Sequence, residues 1–356
     1  MEQKQTFRRM SDEKFQAHQT KTDDKLEEAI GWVKDNCLKP VRYAVDPRDN
    51  SVTIFSPGRN SRVNGYFKKP VEKTNGITDC PICDEDKSTT PIFSYKQIGD
   101  SDYAFVNENL YPFLSGEGTP GYSSEETKVS GANFLVWSSM YHRDIHEMEA
   151  HEHAASFELI GDLERKLLAK GFKHVQTIKN TGRAVGGSIE HGHYQVSGMS
   201  IVPARIQNDA RLLRDRNMSF VGLLALVNGK EFEVKEYDSV KVVVPYYMRR
   251  PFDAIIYPKQ KGLTLVGNMD EKLREDFSRA TIDITKALHD IMPGRGKEFA
   301  YNLVFHTGKI GTMYLEVLPY TQQEGGYEKA GLNVCQMLPE DCAGIYRDFL
   351  NKFNLK

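Results

Sequence analysis

The sequence predicts an α+β fold in which antiparallel sheets pack against helices and one sheet-and-helix unit occurs twice. Three observations support this fold class: short alternating segments typical of strands, two long amphipathic segments typical of helices, and a similar order of segments in both halves. The 356 residues are enough for two domains, or for one large duplicated domain with a substantial core.

The elements of the N-terminal half follow in order along the chain. Residues 1–38 are highly charged with helical spacing and predict a helical extension, and Arg42–Phe55 predicts a hairpin with its turn at Asp46–Asn50. A long amphipathic helix is expected from about residue 144 to residue 170, because Gly171 then provides a typical helix end. Four further segments predict strands: Asp102–Asn107, Asn133–Ser138, His174–Lys179 and Tyr194–Val202.

The C-terminal half repeats this order. Strands are expected at Phe252–Tyr257, Phe299–His306 and Thr312–Leu318, and a helix is expected over residues 270–290. The segment His306-Thr-Gly falls where Asn180-Thr-Gly falls in the first half. The sequence therefore predicts an extension (1–38), an N-terminal half (39–205) and a C-terminal half (206–356).

Composition and charge argue against several classes of protein. A formal net charge of -2 provides no basic field for nucleic acid, and the longest apolar stretches, such as Phe220–Val227, are too short to span a bilayer. The first residues are polar and charged, without an apolar signal region. Three of the five cysteines are scattered, which fits a reducing compartment better than a disulfide framework. These features predict a cytoplasmic protein without membrane or nucleic-acid partners.

The segment from residue 180 to residue 195 carries the clearest chemical signal. His191 and His193 lie at the start of a predicted strand, so their side chains and that of Gln195 share one face. Just upstream, the small residues Gly186–Ser188 let backbone amides approach an anion. An imidazole, a neutral amide and backbone donors around one point suit attack on a phosphoryl group. Two surface histidines or a metal pair would give the same pattern.

The segment Cys80-Pro-Ile-Cys83 follows a polar, turn-rich stretch. Two thiolates at this spacing can chelate one zinc ion, which then needs two more ligands from elsewhere in the chain. A redox pair is the alternative, but a redox motif of this kind normally opens a helix in a βαβ unit. The acidic residues 84–86 would also raise the pKa of the thiols rather than lower it. A zinc site is therefore the favoured interpretation.

Several spaced motifs together resemble one known family. The pattern Asn-x-Gly-x-x-x-Gly-x-Ser-x-x-His-x-His-x-Gln at residues 180–195 is similar to the signature of galactose-1-phosphate uridylyltransferase-like proteins of the histidine-triad superfamily. Further similarities follow in the family's order: Ser56-Pro-Gly-Arg59-Asn-Ser-Arg62, Cys80-Pro-Ile-Cys83, Phe105-Val-Asn-Glu-Asn-Leu-Tyr-Pro, Ser138-Ser-Met-Tyr-His142 and Gly326-Tyr327-Glu328. Agreement of several spaced motifs is more specific than any one of them. The resemblance implies duplicated histidine-triad-like units.

The resemblance also implies the roles of individual residues. His193 would be the nucleophile that attacks the α-phosphorus of a nucleotide sugar or dinucleotide, forming a covalent nucleotidyl-histidine with Gln195 beside it. The ligands of a structural Zn²⁺ would be Cys80, Cys83, His142 and His191. His146 could take the place of His142 as a metal ligand.

Substrate binding is implied for residues on both sides of a dimer interface. Arg59 and Arg62 would reach the phosphates from the partner subunit of a homodimer. The remaining substrate-binding residues would be Asn180, Gly187, Ser188, Tyr327 and Glu328.

Departures from the family pattern bear on the reaction. Hydrolases of the superfamily carry a third histidine at the position of Gln195, and a glutamine amide cannot exchange a proton with the leaving group. Transfer or phosphorolysis is therefore favoured over hydrolysis. Proline stands in much of the family where this chain has Gly192, which predicts a looser chain between the histidines. Gln322 and Val334 replace side chains that contact the hexose phosphate in the galactose enzyme, which argues against galactose 1-phosphate as acceptor.

The C-terminal half departs from the family pattern too. Some members bind a second metal there through histidines. His306 is present in this chain, but Tyr314 and Glu316 occupy the His-x-His positions, so we do not expect this second site. Elsewhere, His151 and His153 are expected on the solvated face of the long helix.

The sequence thus predicts a nucleotidyltransferase or nucleotidyl phosphorylase that works through His193. A zinc-stabilised protein that binds a nucleotide or sugar phosphate without turnover is the alternative from another class. A hydrolase of nucleotide sugars is the third possibility. The base, the sugar and the acceptor are not given by the residues, because members of one fold family differ in all three.

Overall fold

The computed structural model describes residues 42–352 except 56, 58–79, 81, 84–90, 110, 115, 118 and 122–123. The predicted helical extension lies outside the described residues, as do Arg59, Arg62 and most of the loop that carries them. The α+β class is confirmed, since a large antiparallel sheet packs against long helices. No described helix is long and apolar enough to cross a membrane.

The described residues form fifteen strands, numbered in chain order. Those of the first half are β1 (Arg42–Val45), β2 (Val52–Phe55), β3 (Ser94–Ile98), β4 (Asp102–Glu108), β5 (Thr119–Gly121), β6 (Ser124–Val129), β7 (Gly131–Trp137), β8 (His174–Thr181) and β9 (His193–Met199). Those of the second half are β10 (Glu233–Glu236), β11 (Val240–Val243), β12 (Ala254–Pro258), β13 (Tyr301–His306), β14 (Tyr314–Pro319) and β15 (Leu332–Cys335).

Six α-helices connect and cover these strands in the described part of the chain. They are α1 (Ala150–Ala169), α2 (Ala204–Arg216), α3 (Phe220–Val227), α4 (Glu271–Gly294), α5 (Gly326–Lys329) and α6 (Pro339–Lys352). The same described residues include four single turns of the 3-10 type: Ile145–Glu147, Arg183–Val185, Lys230–Phe232 and Val266–Asn268. The long helix α4 begins at Asp270, whose side chain accepts a hydrogen bond from the Leu273 amide, as an N-cap should.

Ten strands form one antiparallel sheet in the order β10-β11-β12-β14-β13-β8-β9-β7-β4-β3. Five of them come from each half, and the halves meet where β8 pairs with β13. Asn302 lies opposite Asn180 in that pair, so the sheet continues across the middle of the chain. A smaller sheet has the order β1-β2-β15, in which β15 runs parallel to β2.

The main core lies between this sheet and the helices α1 and α4. The side chain of Phe157 on α1 contacts those of Phe277 on α4 and Phe305 on β13, with ring centroids 5.8 Å and 5.6 Å away. All three rings are fully buried, and burying one such side chain stabilises the fold by roughly 1.5–3 kcal/mol. This packing determines which face of the sheet remains for a site.

The long helix of the first half starts later than the sequence predicts. Asp144 caps a separate 3-10 turn, Ile145–Glu147, through a capping box with Glu147. Met148 then returns to an extended backbone, so that α1 begins only at Ala150. The expectation that His153 is solvated is wrong: this side chain is fully buried, and its Nε2 lies 2.8 Å from the Tyr194 hydroxyl.

Candidate active site and metal centre

The candidate nucleophile lies on the sheet face opposite α1 and α4, which we call the site face. Tyr194 points towards Phe157 on α1, so its neighbour His193 must point the other way. Trp137 on β7 lies directly opposite His193, and the two rings are 4.8 Å apart. Gln195 shares this face and is half-buried next to Ile178 of β8. The sequence-predicted side chains of His193 and Gln195 are therefore brought together.

The hydrogen bonds of His193 determine which ring nitrogen can react. Its Nδ1 lies 2.8 Å from the carbonyl oxygen of His191. A carbonyl oxygen can only accept, so Nδ1 carries the hydrogen and Nε2 keeps its lone pair. Burial, and then the positive charge of Lys179, lower the pKa of His193 to about 4. The ring is consequently neutral and nucleophilic near neutral pH.

A buried ion pair lies behind the nucleophile. Lys179 Nζ is 2.8 Å from Asp144 Oδ1, and the Thr181 hydroxyl donates to Asp144 Oδ2 at 3.1 Å. Burial alone would raise the pKa of Asp144, but Lys179 outweighs it and the pKa is about 2. The pair ties the loop before α1 to β8. Removing one partner of such a pair leaves a buried charge without compensation.

Gly192 is held firmly between the two histidines. Its amide donates to the Arg143 carbonyl oxygen at 3.1 Å, and its own carbonyl accepts from the Ser138 amide at 3.0 Å. A Cβ at this position would lie 2.8 Å from Asp144 Oδ1. The expectation of a looser chain here is wrong, since these hydrogen bonds and the close Asp144 contact restrain the peptide.

The amides of both Gly186 and Gly187 are used for hydrogen bonds within the glycine-rich loop. Gly186 adopts the left-handed conformation with φ of 84° and donates to the Arg183 carbonyl at 3.2 Å. The Gly187 amide donates to the Gly182 carbonyl at 2.9 Å, and a Cβ at Gly187 would meet that backbone at 2.8 Å. Gly187 therefore allows the loop to close on itself, and Ser188 is left exposed at the end of the loop.

The four sequence-predicted metal ligands form one cluster. His191 Nδ1 is 3.5 Å from the sulfurs of Cys80 and Cys83, and His142 Nδ1 is 3.3 Å from the Cys83 sulfur. The four ligand atoms all lie within 4.8 Å of one another. His191 Nε2 lies 2.8 Å from the Ser139 carbonyl oxygen, which leaves the Nδ1 lone pair facing the sulfurs. Neighbouring S and N ligands of a tetrahedral zinc are ~3.5 Å apart, so the donor set fits such an ion.

The structure selects His142 over His146. The His146 ring stacks on His289 at 4.6 Å and meets the edge of Phe299 at 5.0 Å, so it belongs to a separate aromatic contact. Burial and the nearby Cys80 thiol raise the pKa of Cys83 to about 11. A bound cation would therefore have to displace the thiol protons.

Asp102 supports the cluster and was not found from the sequence. Its Oδ2 accepts from the Ser139 hydroxyl and from Arg143 Nη2, both at 2.7 Å, and its Oδ1 accepts from the Met140 amide at 2.8 Å. Asp102 thus holds the peptide whose carbonyl orients His191. No local pattern marks this role, because Ser139 is 37 residues away in the chain.

The corresponding positions in the C-terminal half hold a closed ion network. Ile178 on β8 lies opposite Gln195 on β9, and Val304, which precedes His306 as Ile178 precedes Asn180, lies opposite Glu316 on β14. The register therefore aligns Glu316 with Gln195, and Tyr314, two residues before Glu316, with His193.

Glu316 is the centre of that network. Its oxygens lie 2.8 Å from Arg48, 2.9 Å from Arg205 and 2.8 Å from His306. Burial would raise the pKa of Glu316, but Arg48 and His306 hold it well below its ordinary value. Among the described residues, only the Cys80 cluster groups three or more potential metal ligands. Arg48 was missed because its turn reads as an ordinary hairpin connection.

The Gly-Tyr-Glu segment serves the fold of its own chain. Glu328 accepts from the amides of Gly325 at 2.8 Å and Val334 at 3.2 Å, while Tyr327 is exposed. Gln322 is buried and donates to the Val334 carbonyl at 2.8 Å. Gln322, Glu328 and Leu318 of β14 are among the residues that border a cavity of about 120 Å³.

The chain is similar in sequence to proteins of known name. None of the known family profiles matches the chain. ADP-glucose phosphorylase of Arabidopsis thaliana is 24% identical over 333 residues, which covers 85% of this chain and 91% of that protein. Galactose-1-phosphate uridylyltransferase of Thermotoga maritima is 25% identical over 254 residues, covering 67% of this chain and 74% of that protein. The chain is a divergent relative of the galactose-1-phosphate uridylyltransferase-like proteins.

A solved structure agrees with this relationship at the level of the fold. The crystal structure of ADP-glucose phosphorylase from Arabidopsis thaliana with bound ADP-glucose matches with a TM-score of 0.71 at 21% identity. The match covers 87% of this chain and 99% of that one. The resemblance and the α+β fold class expected from the sequence are thus confirmed for a divergent uridylyltransferase-like chain.

Proposed function

We propose that this protein transfers nucleotidyl groups from a nucleotide sugar through a covalent adduct on His193. One observation carries the proposal: His193 is a neutral imidazole whose Nδ1 is bound to the His191 carbonyl, which leaves Nε2 as the reactive atom. The relatives support it, since they are named as a nucleotidyl phosphorylase and as uridylyltransferases.

The reaction proceeds in two displacements. In the first, His193 Nε2 bonds to the α-phosphorus while the bond to the bridging oxygen breaks, and the sugar phosphate leaves as an anion. The Nδ1 proton stays on the ring, and the His191 carbonyl stabilises the cationic adduct. In the second, a phosphate oxygen of the acceptor attacks the same phosphorus, the P–N bond breaks and the imidazole is regenerated.

Gln195 suits this sequence of steps. A sugar phosphate leaves without needing a proton near neutral pH, so a neutral amide that holds the phosphoryl oxygens is sufficient. Asn180, near the end of β8, and Ser188, in the loop that follows β8, serve the same phosphoryl group. The partner subunit of a homodimer contributes Arg59 and Arg62, which add positive charge near the phosphates.

The metal is Zn²⁺, and its role is structural. Cys80, Cys83, His142 and His191 supply a complete set of four ligands, leaving no open position for substrate. When bound, the ion anchors His191 and therefore the peptide that orients His193. We assign the protein to the cytoplasm, where the thiols of the Cys80 cluster would remain reduced.

ADP-glucose with inorganic phosphate as acceptor is the first substrate pair to examine. A relative that is matched over 91% of its length is named ADP-glucose phosphorylase. Gln322, at the position of a family lysine, is buried and offers no cationic contact to a hexose phosphate. Both facts favour a phosphorylase over transfer to galactose 1-phosphate.

Trapping the adduct tests the proposal. The protein is incubated with ADP-glucose or UDP-glucose, quenched and examined by intact mass spectrometry for the addition of one nucleoside monophosphate. The wild type should gain this mass, and the His193→Ala variant should label below about one-thousandth of the wild-type rate. His151→Ala, at an exposed histidine on α1, is the matched control and should label normally.

Other outcomes identify the competing functions. Tight nucleotide binding without an adduct would indicate a binding protein. Release of nucleotide in the absence of any acceptor would indicate a hydrolase. Labelling that persists in His193→Ala would place the nucleophile elsewhere and end the proposal.

A further inference from the structure

Two asparagines join the halves of the sheet beside the site. Asn302 on β13 lies directly opposite Asn180 on β8, so both side chains project from the site face. Asn302 Nδ2 is 2.8 Å from Asn180 Oδ1 and 3.2 Å from the carbonyl oxygen of Val185. Val185 belongs to the turn that opens the glycine-rich loop.

The Val185 carbonyl determines how both amides are oriented. A carbonyl oxygen can only accept, so the Asn302 atom that faces it must be the NH₂ group. The same NH₂ group faces Asn180, and the Asn180 atom opposite must therefore be the acceptor Oδ1. The donor Nδ2 of Asn180 is left to point along the loop, where a Cβ on Gly186 would lie 3.8 Å from it.

We infer that Asn302 is a positioning residue that presents the NH₂ group of Asn180 to the phosphoryl group attacked by His193. The inference rests on the proposed function, because it assigns the task of Asn180 within that reaction. An amide without a fixed neighbour could rotate and turn its oxygen towards the phosphate, and two oxygen acceptors repel each other. The hydrogen bond from Asn302 prevents that rotation of the Asn180 amide. A residue of the C-terminal half thus orients a side chain in the site of the N-terminal half.

The substitution Asn302→Asp tests this directly, because it keeps the shape of the side chain and removes both donors. Asn180 should then rotate to donate to the new carboxylate and present its oxygen to the substrate. The rate of adduct formation with ADP-glucose should fall roughly 10- to 100-fold, mostly in kcat, and the affinity for ADP should fall as well. Asn302→Leu, which leaves Asn180 free in both orientations, should lose less.

A double-mutant cycle separates positioning from simple charge repulsion. If Asn302 acts through Asn180, the variant Asn180→Ala/Asn302→Asp should be no slower than Asn180→Ala alone. Repulsion of the phosphates by the new carboxylate would instead reduce the rate by the same factor in both backgrounds, and would overturn the inference. Asn217→Asp, at the exposed end of α2, is the matched control and should behave as wild type.

Calorimetric titration with ADP distinguishes failure of the inference from failure of the proposed function. A non-additive loss of ADP affinity without any adduct would keep the positioning role and reject the chemistry. Normal adduct formation by Asn302→Asp would reject the positioning role alone. A wild type that neither binds ADP nor forms an adduct would reject both. Thermal unfolding of each variant shows whether a loss of activity reflects a loss of folded protein.

Discussion

The two halves of the sheet place very different chemistry at equivalent positions. In the N-terminal half the paired strands present His193, Gln195 and Asn180, which are all neutral near pH 7. In the C-terminal half the same register positions hold Tyr314, Glu316 and His306, where burial is outweighed by charge and the pKa of His306 is raised. One backbone arrangement thus supports the proposed active site in one half and an ion network in the other.

The difference lies in where each half finds its counter-charges. Glu316 is compensated from within the chain by Arg48 and Arg205, and Arg48 also pairs with Asp46 at 2.7 Å and lies over the Phe220 ring at 4.5 Å. Such a network is complete without a ligand, and α3 closes over it. The N-terminal half instead leaves a thiol and histidine cluster for an external cation and a neutral ring for an external phosphoryl group. The N-terminal half can therefore bind charged ligands, because its charges are not already balanced within the chain.

The largest expected effect is on stability and should come from removing Arg48 from the ion network around Glu316. Arg48→Met leaves Glu316 and Asp46 buried with less compensation, which should lower the free energy of unfolding by roughly 3–5 kcal/mol. Urea denaturation measures this, while the adduct rate per folded molecule should remain unchanged. Lys329→Met, in an exposed pair with Glu324, should not shift the midpoint measurably. A variant as stable as the wild type would show that the network contributes nothing to the fold.

Loss of zinc from the Cys80 cluster should slow the reaction proposed for the N-terminal half. Cys83→Ser should abolish stoichiometric zinc binding and slow adduct formation roughly 10- to 100-fold, because His191 would no longer be anchored. Zinc is measured by elemental analysis of protein purified under reducing conditions. Cys335→Ala, at a buried cysteine away from the cluster, should keep its metal. A fully active wild type that carries no metal would contradict this prediction.

Two equivalent glycines provide a smaller contrast. Gly182 has φ of 87°, and a Cβ there would lie 2.6 Å from Ala300 Cβ, so Gly182→Ala should destabilise the fold by about 1–3 kcal/mol. Gly308 follows His306 as Gly182 follows Asn180, and the atom nearest to its added Cβ is 3.7 Å away. Gly308→Ala should change stability by less than about 0.5 kcal/mol. Equal effects in the two variants would remove this distinction between the halves.

The smallest effect on the rate of adduct formation should come from pH, because the pKa values of His193 and His306 are shifted in opposite directions. Since burial lowers the pKa of His193 to about 4, its stabilising contribution is present above the unfolded value and is lost as the pH falls towards 4. The pKa of His306 is raised, so its contribution is present below about pH 6.5 and is lost as the pH rises through the folded value.

Carbon-13 NMR of labelled histidines measures both titrations. The signal of His193 should stay that of a neutral ring from about pH 8 down to about pH 6, and the adduct rate should vary by less than about twofold over this range. A His193 signal that titrates near pH 6.5 would contradict the buried, neutral nucleophile.

Local spacing was enough to predict which candidate site residues lie together, but not which residues support them. His191, His193 and Gln195 share an environment because alternate residues of one strand share a face, and Cys80 and Cys83 lie close because two residues separate them. Asn302 is 122 residues from Asn180, and Arg48 is 266 residues from the Tyr314 hydroxyl it contacts. No periodicity links such pairs, since their meeting depends on which strands become neighbours.

The boundary between the two halves also shows that the sequence predicts individual strands but not which strands pair. The sequence predicted strands at His174–Lys179 and Phe299–His306, and both form with small shifts at their ends. It contained no sign that these two strands pair with each other and join ten strands into one sheet. It also placed the start of the long helix near Asp144, because the capping box of a separate turn resembles the cap of a helix.

The amino-acid sequence by itself determined the strand-and-helix order, the face shared by the two histidines and the closeness of Cys80 and Cys83, because these follow from backbone geometry over a few residues. Tertiary structure decided the rest: the choice of His142 over His146, the burial that keeps His193 neutral, the amide orientation transmitted by Asn302, and the arginines that close the second half. These depend on strand register and on packing across the whole core, which only the folded chain brings into existence.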